Sequence, residues 1–353
     1  MTHKNILRII ILLGLSLAAC TPSVKPAETQ TLTIMTHDSF AVSEALVTQF
    51  EQEHNARLNF IKAGDTGAAL NRVILLQLND TPPADVFYGI DNTFLSRALD
   101  NDIFEAYDSP FLADIPTEFM LDPLRRALPI DYGDVCINYD KAWFAEKGLP
   151  VPQTLEDLTK AEYAGLLAVQ NPATSSPGLA FLLASIAHFG EEGYLDFWQD
   201  LVDNQVVVTS DWETAYYTNF SASSGHGPQP MVVSYASSPP AELIYAAQPL
   251  DEAPTASIIG PQTCFRQIEF AGILRGTPNR ALAEQFIDFM LSVAFQEDVP
   301  LQMFVFPVHP LAQLPEAFVK AAQIPDQPAS LDPSLIAEKR EAWIEAWTEL
   351  VLK

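Results

Sequence analysis

Leu32-Thr33-Ile34-Met35-Thr36 is a short apolar run that predicts a buried strand. A helix is predicted from about Ser43, with Ala45, Leu46, Val47 and Phe50 on its inner side. Residues 57–61 alternate in part, Leu58 and Phe60 being apolar, and suggest a second strand. Helical spacing returns over 67–78 through Ala68, Leu70, Val73, Ile74 and Leu78, and 84–88 reads as a third strand. Strands alternating with helices at this spacing predict a parallel α/β organisation. A long strand passage over 128–139 then carries the chain into a second lobe, where 140–255 hold further α/β material. Residues 266–274 read as a strand that returns to the first lobe, followed by a helix over 280–291 with Leu282, Phe286 and Phe289 in phase. The chain ends in an amphipathic helix from about Ser334, opened by Asp332-Pro333 and carrying Ile336, Trp343, Ile344 and Trp347. Those tryptophans, at i and i+4, read as core.

This pattern predicts an α/β fold of two lobes on a multi-strand hinge. Residues 31–127 with 265–310 form the first lobe, and 128–264 with 311–353 the second. Ligands of open α/β sheets bind at the carboxyl ends of strands, and two lobes place two such edges face to face across a cleft. Closure of the lobes around a ligand is the expected motion.

The first 19 residues stand apart. Lys4 and Arg8 precede an apolar run, 9–17, which is too short to span a bilayer permanently and ends in small residues. That is the layout of a signal peptide. Leu17-Ala18-Ala19-Cys20 resembles the lipobox of bacterial lipoproteins, in which the cysteine is acylated and becomes the new N-terminus. The plainer alternative is an ordinary signal peptide with an incidental cysteine. Residues 20–30 lack an apolar period and read as a lipidated, flexible tether. The expectation is an exported chain held by a lipid anchor at the outer face of the cytoplasmic membrane or in the periplasm.

Removing residues 1–19 takes away two basic and no acidic residues, leaving 17 Lys+Arg against 45 Asp+Glu, a net charge of −28. Nucleic-acid binding depends on Lys and Arg neutralising phosphates, so this charge argues against it. An anionic bilayer would repel the chain, so attachment must come from the lipid. Solubility is the plain account of the acidity. With Cys20 lipidated, Cys136 and Cys264 remain, and an oxidising compartment allows them to pair; the sequence leaves that open. No Cys/His cluster at ligand spacing suggests a metal, and no cofactor is expected.

Four local features are candidates for ligand binding. In Asn171-Pro172-Ala173-Thr174-Ser175-Ser176-Pro177-Gly178, Ser176 reads as an N-cap and Pro177 as the first helical residue. Such a helix start suits a polar or phosphate-bearing ligand, or is a plain capped helix. Gly64-Asp65-Thr66-Gly67 holds the same kind of position in the first lobe, with Asp65 either capping its helix or binding a donor on a ligand. Ser234-Tyr235-Ala236-Ser237-Ser238-Pro239 ends a strand with an aromatic ring and hydroxyls, or is an ordinary turn. Trp212, flanked by polar residues, either presents its ring at the cleft or is half-buried in the nearest core. Stacking on Trp and Tyr suits a flat heteroaromatic or cationic ligand. There is no Gly-x-Ser-x-Gly, no Gly-rich phosphate loop and no His-Glu-x-x-His, so an enzyme reading lacks a named nucleophile or base.

Taken in order, several stretches resemble the periplasmic thiamine-binding proteins of ABC transporters. They are Thr36-His37-Asp38-Ser39-Phe40, Ala84-Asp85-Val86 with Gly89-Ile90-Asp91-Asn92, Asp131-Tyr132-Gly133 and Thr174-Ser175-Ser176-Pro177-Gly178-Leu179. Trp212-Glu213-Thr214-Ala215-Tyr216, Ser234-Tyr235, Phe306-Pro307-Val308 and Arg340-Glu341-Ala342-Trp343 continue the series over nearly the whole mature chain. The resemblance implies a periplasmic-binding-protein fold of type II and a monomeric carrier. The carrier would capture thiamine, with its phosphate esters as further candidates, for a permease and an ATPase. It also implies site residues. Asp65 and Thr66 would contact the ligand from the first lobe. Ser175 and Ser176 would lie near its hydroxyethyl or phosphate end, and Trp212 with Tyr235, Ala236, Ser237, Ser238 and Pro239 would line the remaining wall. The chain departs from the family pattern at His37 and Ala241, where tyrosines are expected, and at Phe304, where a stacking tryptophan is expected; Ala41-Val42-Ser43 replaces a longer Trp-containing segment. These changes leave room for a related pyrimidine or thiazole ligand. Tyr216-Tyr217 with His37 also resembles the ferric-ion-binding members of the fold, though one core ring and one surface ring is the plainer reading. A lipid-anchored hydrolase is the alternative from a different class.

Overall fold

A computed structural model describes residues 29–77 and 82–353. The signal segment, Cys20, all but the last residues of the tether, and Leu78 lie outside the described residues. The first strand, β1, runs Gln30–Thr36 and so takes in the last residue of the expected tether. The other strands are β2 Ala56–Lys62, β3 Val86–Asp91, β4 Phe104–Glu105, β5 Leu128–Asp140 and β6 Leu167–Gln170. They continue with β7 Val207–Thr209, β8 Met231–Tyr235, β9 Thr255–Ile258, β10 Phe265–Leu274 and β11 Phe306–Pro307. The main path is β2-β1-β3-β10-β5-β8-β6-β7. β2, β1 and β3 are parallel, as are β8, β6 and β7. Between these two parallel sets lie β10 and β5, antiparallel to each other and to their flanking strands. The short strands β4, β9 and β11 pair with β10 or β5 off this path.

This is the two-lobed α/β fold. Parallel strands need crossovers, and the helices Glu44–His54 and Thr66–Gln77 supply them beside β1, β2 and β3. The third strand lies later than the 84–88 expected: Asp85 precedes it, its carboxylate accepting from the Thr33 N–H (2.7 Å) and the Thr277 hydroxyl (2.5 Å). The helix Glu44–His54 buries only Phe50, and Ala45 is exposed rather than inward. Phe50 alone supplies its deep contact, on the rings of Phe286 and Phe289.

In the second parallel set the helix Ser176–Asp203 is apolar nearly all round through its first three turns and is buried there. Gly190, at φ 74°, breaks its helical backbone without steric cost. The C-terminal helix Pro333–Val351 opens with Asp332 accepting from the Ser334 N–H (2.8 Å) and lays Trp347 edge-on against Trp198 (5.4 Å). Trp343 and Trp347 are core, 3% and 0% exposed. From the same helix the buried Arg340 donates to the carbonyl of Thr93 (3.1 Å), in the turn after β3, and to Oγ of Ser96 (3.0 Å), in the helix Leu95–Asp100 that follows. Cys136 of β5 and Cys264, just before β10, form a disulfide packed against Ala236. No helix among the described residues is long and apolar enough to cross a membrane.

Candidate functional site

The central cleft, together with the open solvent at its mouth, offers about 620 Å³ of space. Residues from both parallel sets and from the strands between them reach it. His37, Asp65 and Thr66 come from the carboxyl ends of β1 and β2, as expected for an α/β sheet. Ser176, Trp212, Tyr235 and Ser238 come from the other set, and Phe304 from the turn before β11. Eight expected residues are thereby brought together. Ser175, Ala236, Ser237 and Pro239 are not in the lining. Each is buried: Ala236 packs on the disulfide, Pro239 begins the short helix Pro239–Ile244, and Ser237 sits fully covered in the turn.

The cap assignment shifts by one residue. Ser175 is the N-cap and Ser176 the first helical residue, with no side-chain capping bond. The Ser176 hydroxyl is directed instead to Asp91, donating to Oδ2 in a short contact. Both oxygens of Asp65 accept from the protein's own backbone. Its Oδ1 accepts from the Thr66 N–H at its own helix start (2.8 Å), and its Oδ2 accepts from the Trp212 N–H across the cleft (3.2 Å). A second crossing bond runs from the Gly67 N–H to the Thr174 carbonyl (3.1 Å). Gly67 permits that approach, because a Cβ there would fall 2.8 Å from the Ala173 carbonyl oxygen. The lobes are therefore drawn together around the cleft.

Trp212 lies half-buried at the cleft with its ring stacked on Tyr216 (4.9 Å). Its indole N–H donates to Ser234 Oγ (3.0 Å), which in turn meets Ser238 Oγ (3.0 Å), so the ring is held at a fixed angle. Tyr216 is a core ring whose hydroxyl donates to Glu242 (3.0 Å), whereas Tyr217 is 57% exposed and meets Trp212 edge-on. That division matches one core ring and one surface ring. Among the described residues no group of three or more His, Cys, Asp or Glu is arranged to hold a metal ion. Phe304 holds φ 55°, a left-handed conformation costly for a bulky residue, and its ring meets Tyr245 at the cleft rim.

Glu269, buried at the middle of β10, lines the floor of the cleft and was not among the expected residues. An acid inside the otherwise apolar stretch 268–274 is the signal that marks it. The strand register sets Glu269 opposite Asp91 of β3 on one side and Asp131 of β5 on the other. Three buried carboxyls thus stand in one row across the centre of the sheet. His37 Nε2 lies 3.6 Å from Glu269 Oε2, and the Tyr88 hydroxyl lies 2.9 Å from Glu269 and 2.5 Å from Asp131. One phenol proton cannot serve both carboxylates, so the second proton belongs on Asp131. Burial, and then the Glu269 charge, hold the Asp131 carboxyl well above the usual carboxylate range. At Glu269, burial is outweighed by His37, Tyr88 and Asp131, and the group is lowered. At His37, burial, which favours the neutral ring, is outweighed by Glu269 and then Asp65 and Asp38, so the imidazolium is favoured. Burial also raises Asp65, and it raises Asp91 to about 6.

The arrangement suits a flat, cationic ligand: rings on one wall, carboxylates on the floor and on the other wall. Residues 81–330 match the family model described as bacterial extracellular solute-binding protein. The thiamine-binding periplasmic protein of Salmonella typhimurium is 30% identical over 331 residues, 91% of this chain and 93% of that protein. Its counterpart from Brucella suis biovar 1 is 30% identical over 352 residues, 97% of this chain and 98% of that protein. A solved periplasmic thiamin binding protein superposes with a TM-score of 0.80 at 27% identity, covering 92% of this chain and 96% of that one. The chain belongs to the bacterial extracellular solute-binding protein family.

Proposed function

We propose that this chain captures thiamine, or a closely related cationic heterocycle, in the cleft and delivers it to the permease and ATPase of an ABC importer. The single observation that carries the reading is the pairing across the cleft of a fixed Trp212–Tyr216 stack with the Asp65 and Glu269 carboxylates. A thiazolium ring carries a permanent positive charge and a flat π-face, and this pairing offers a partner to each. Relatives whose names state thiamine binding support the choice among cations. Asp65, Thr66 and His37 contact the ligand from the first lobe, at 31–127 with 265–310. Trp212, Tyr235, Ser238 and Ser176 contact it from the second, at 128–264 with 311–353. Phe304 closes the rim. The protein works without catalysis, as a monomer. It is exported through the segment 1–19 and held at the outer face of the membrane by lipid on Cys20 through the tether.

Titration of the purified mature protein with thiamine, followed by tryptophan fluorescence, tests this. Quenching is expected, because the ligand stacks against Trp212, together with a rise in melting temperature that grows with ligand concentration. No quenching and no thermal shift at high micromolar thiamine would overturn the assignment.

A further inference from the structure

We propose that Arg340, outside the cleft lining, is a positioning residue for closure: it holds the turn after β3 where that turn's neighbours reach across the cleft. This holds whichever ligand the cleft takes. Arg340 belongs to the C-terminal helix Pro333–Val351, which is seated on the helix Ser176–Asp203. Trp347 meets Trp198 there (5.4 Å), and Lys339 pairs with Glu191 (3.7 Å). From that seat the guanidinium reaches the other parallel set. It donates to the Thr93 carbonyl (3.1 Å) and to Ser96 Oγ (3.0 Å), and it lies over the Phe94 ring, 5.8 Å from the centroid. Its planar, forked donors hold such partners at fixed angles.

The gripped residues lead directly to the contacts across the cleft. Asp91 Oδ1 accepts from the Thr93 N–H (2.7 Å), and Asp91 Oδ2 accepts from the Ser176 hydroxyl on the far side. The Phe94 ring ends against Gly67, where a Cβ would lie 3.0 Å from Phe94 Cζ. Gly67 in turn donates its N–H to the Thr174 carbonyl (3.1 Å), close to where Asp65 accepts from the Trp212 N–H (3.2 Å). Thr174 and Ser176 stand at the start of the helix on which the C-terminal helix is seated. The contacts therefore close a ring, and Arg340 is its link behind the cleft. Stability alone is a weak reason for this arginine. It is 3% exposed, and its carboxylate partner is its exposed neighbour Glu341, with Asp91 adding a weaker attraction. Burying a guanidinium carries a desolvation cost that an apolar side chain of similar volume avoids.

The test is hydrogen–deuterium exchange of individual backbone amides in the mature protein, with no ligand added, so the outcome is independent of the thiamine reading. The Gly67 and Trp212 N–H groups report the crossing bonds, and the amides of β1 and β8 report the two cores. Arg340→Gln is expected to speed exchange at Gly67 and Trp212 at least tenfold while the strand amides keep their rates. Ser96→Ala, which removes one acceptor and leaves the charge in place, should speed the same two amides at least threefold, and it decides the question if Arg340→Gln does not fold. A merely structural role would speed cleft and strand amides in parallel, and that result would overturn the proposal. So would Gly67 and Trp212 amides that are unprotected in the parent, or equally protected in parent and variants.

Discussion

β5 and β10 meet in two charged pairs three residues apart, and the two pairs are built on opposite rules. Asp134 stands opposite Arg266, and the guanidinium closes a two-point bridge on the carboxylate at 3.0 and 2.8 Å while lying over the Tyr132 ring. Asp131 stands opposite Glu269, acid against acid, with a third acid, Asp91, next in the row. Three residues along a strand is an odd step, so the two pairs point to opposite faces of the sheet. On one face opposite charges cancel, which is what folding alone favours directly across a strand pair. On the other face three carboxyls are buried together, Asp131 keeping its proton, and are tied by a tyrosine and a histidine. That face is the floor of the cleft. Strand pairing alone does not call for such a row, whereas the proposed cationic ligand would be drawn to it. On the proposed function, the difference separates a pair that serves the fold from a group that serves the ligand.

The comparison breaks or sharpens at four places. The largest effect is expected from Asp91. Its carboxyl releases a proton near 3.8 when unfolded and near 6 when folded, so between those values the folded chain holds more protons. Its contribution to stability is full below pH 3.8 and is lost as pH rises to 6, about 3 kcal/mol across the window. Urea unfolding at several pH values should show this slope in the parent and lose it in Asp91→Asn; parallel slopes would count against the buried charge. Next is Asp134→Ala, which strands Arg266. A fully buried broken pair costs about 3–5 kcal/mol, and Arg266, with its side chain 37% exposed, should bring the loss nearer about 2 kcal/mol while leaving thiamine affinity unchanged. Glu269→Gln should weaken thiamine about tenfold, near 1.4 kcal/mol, and should also lower stability, since it removes the charge that holds the His37 imidazolium. A variant that unfolds without losing affinity would return Glu269 to the fold. The smallest effect is Tyr88→Phe, which removes the hydroxyl between Asp131 and Glu269 and should lower the unfolding free energy, read by urea titration, by about 1 kcal/mol.

Much of the fold was legible because its signals are local. The strand at 32–36, the helix from Ser43 and the opening of the last helix at Asp332-Pro333 each depend on spacing and caps within a few residues. Half of the site was legible for the same reason. Asp65, Ser176 and Tyr235 sit where strands end and helices begin, and those junctions are where α/β sheets place ligands. The inward reading of Ala45 was not supported, because helical spacing names a face without saying how deeply it is covered. The four buried residues Ser175, Ala236, Ser237 and Pro239 show the same limit from the other side. A motif names the turn, and packing decides which of its side chains turn outward.

The sequence by itself determined that two α/β halves are joined by long strand passages, that an acidic chain lies behind a signal-like segment, and that hydroxyls and rings gather at strand ends. All of these are written in short-range patterns and in net charge. Only the tertiary structure decided that Glu269 lies in the floor, that Asp91 and Asp131 flank it, and that the helix start at Ser176 faces a carboxylate of the same chain. Residues 91, 131 and 269 are far apart in sequence and meet through the register of three strands. No local pattern fixes that register; the pairing of whole strands does.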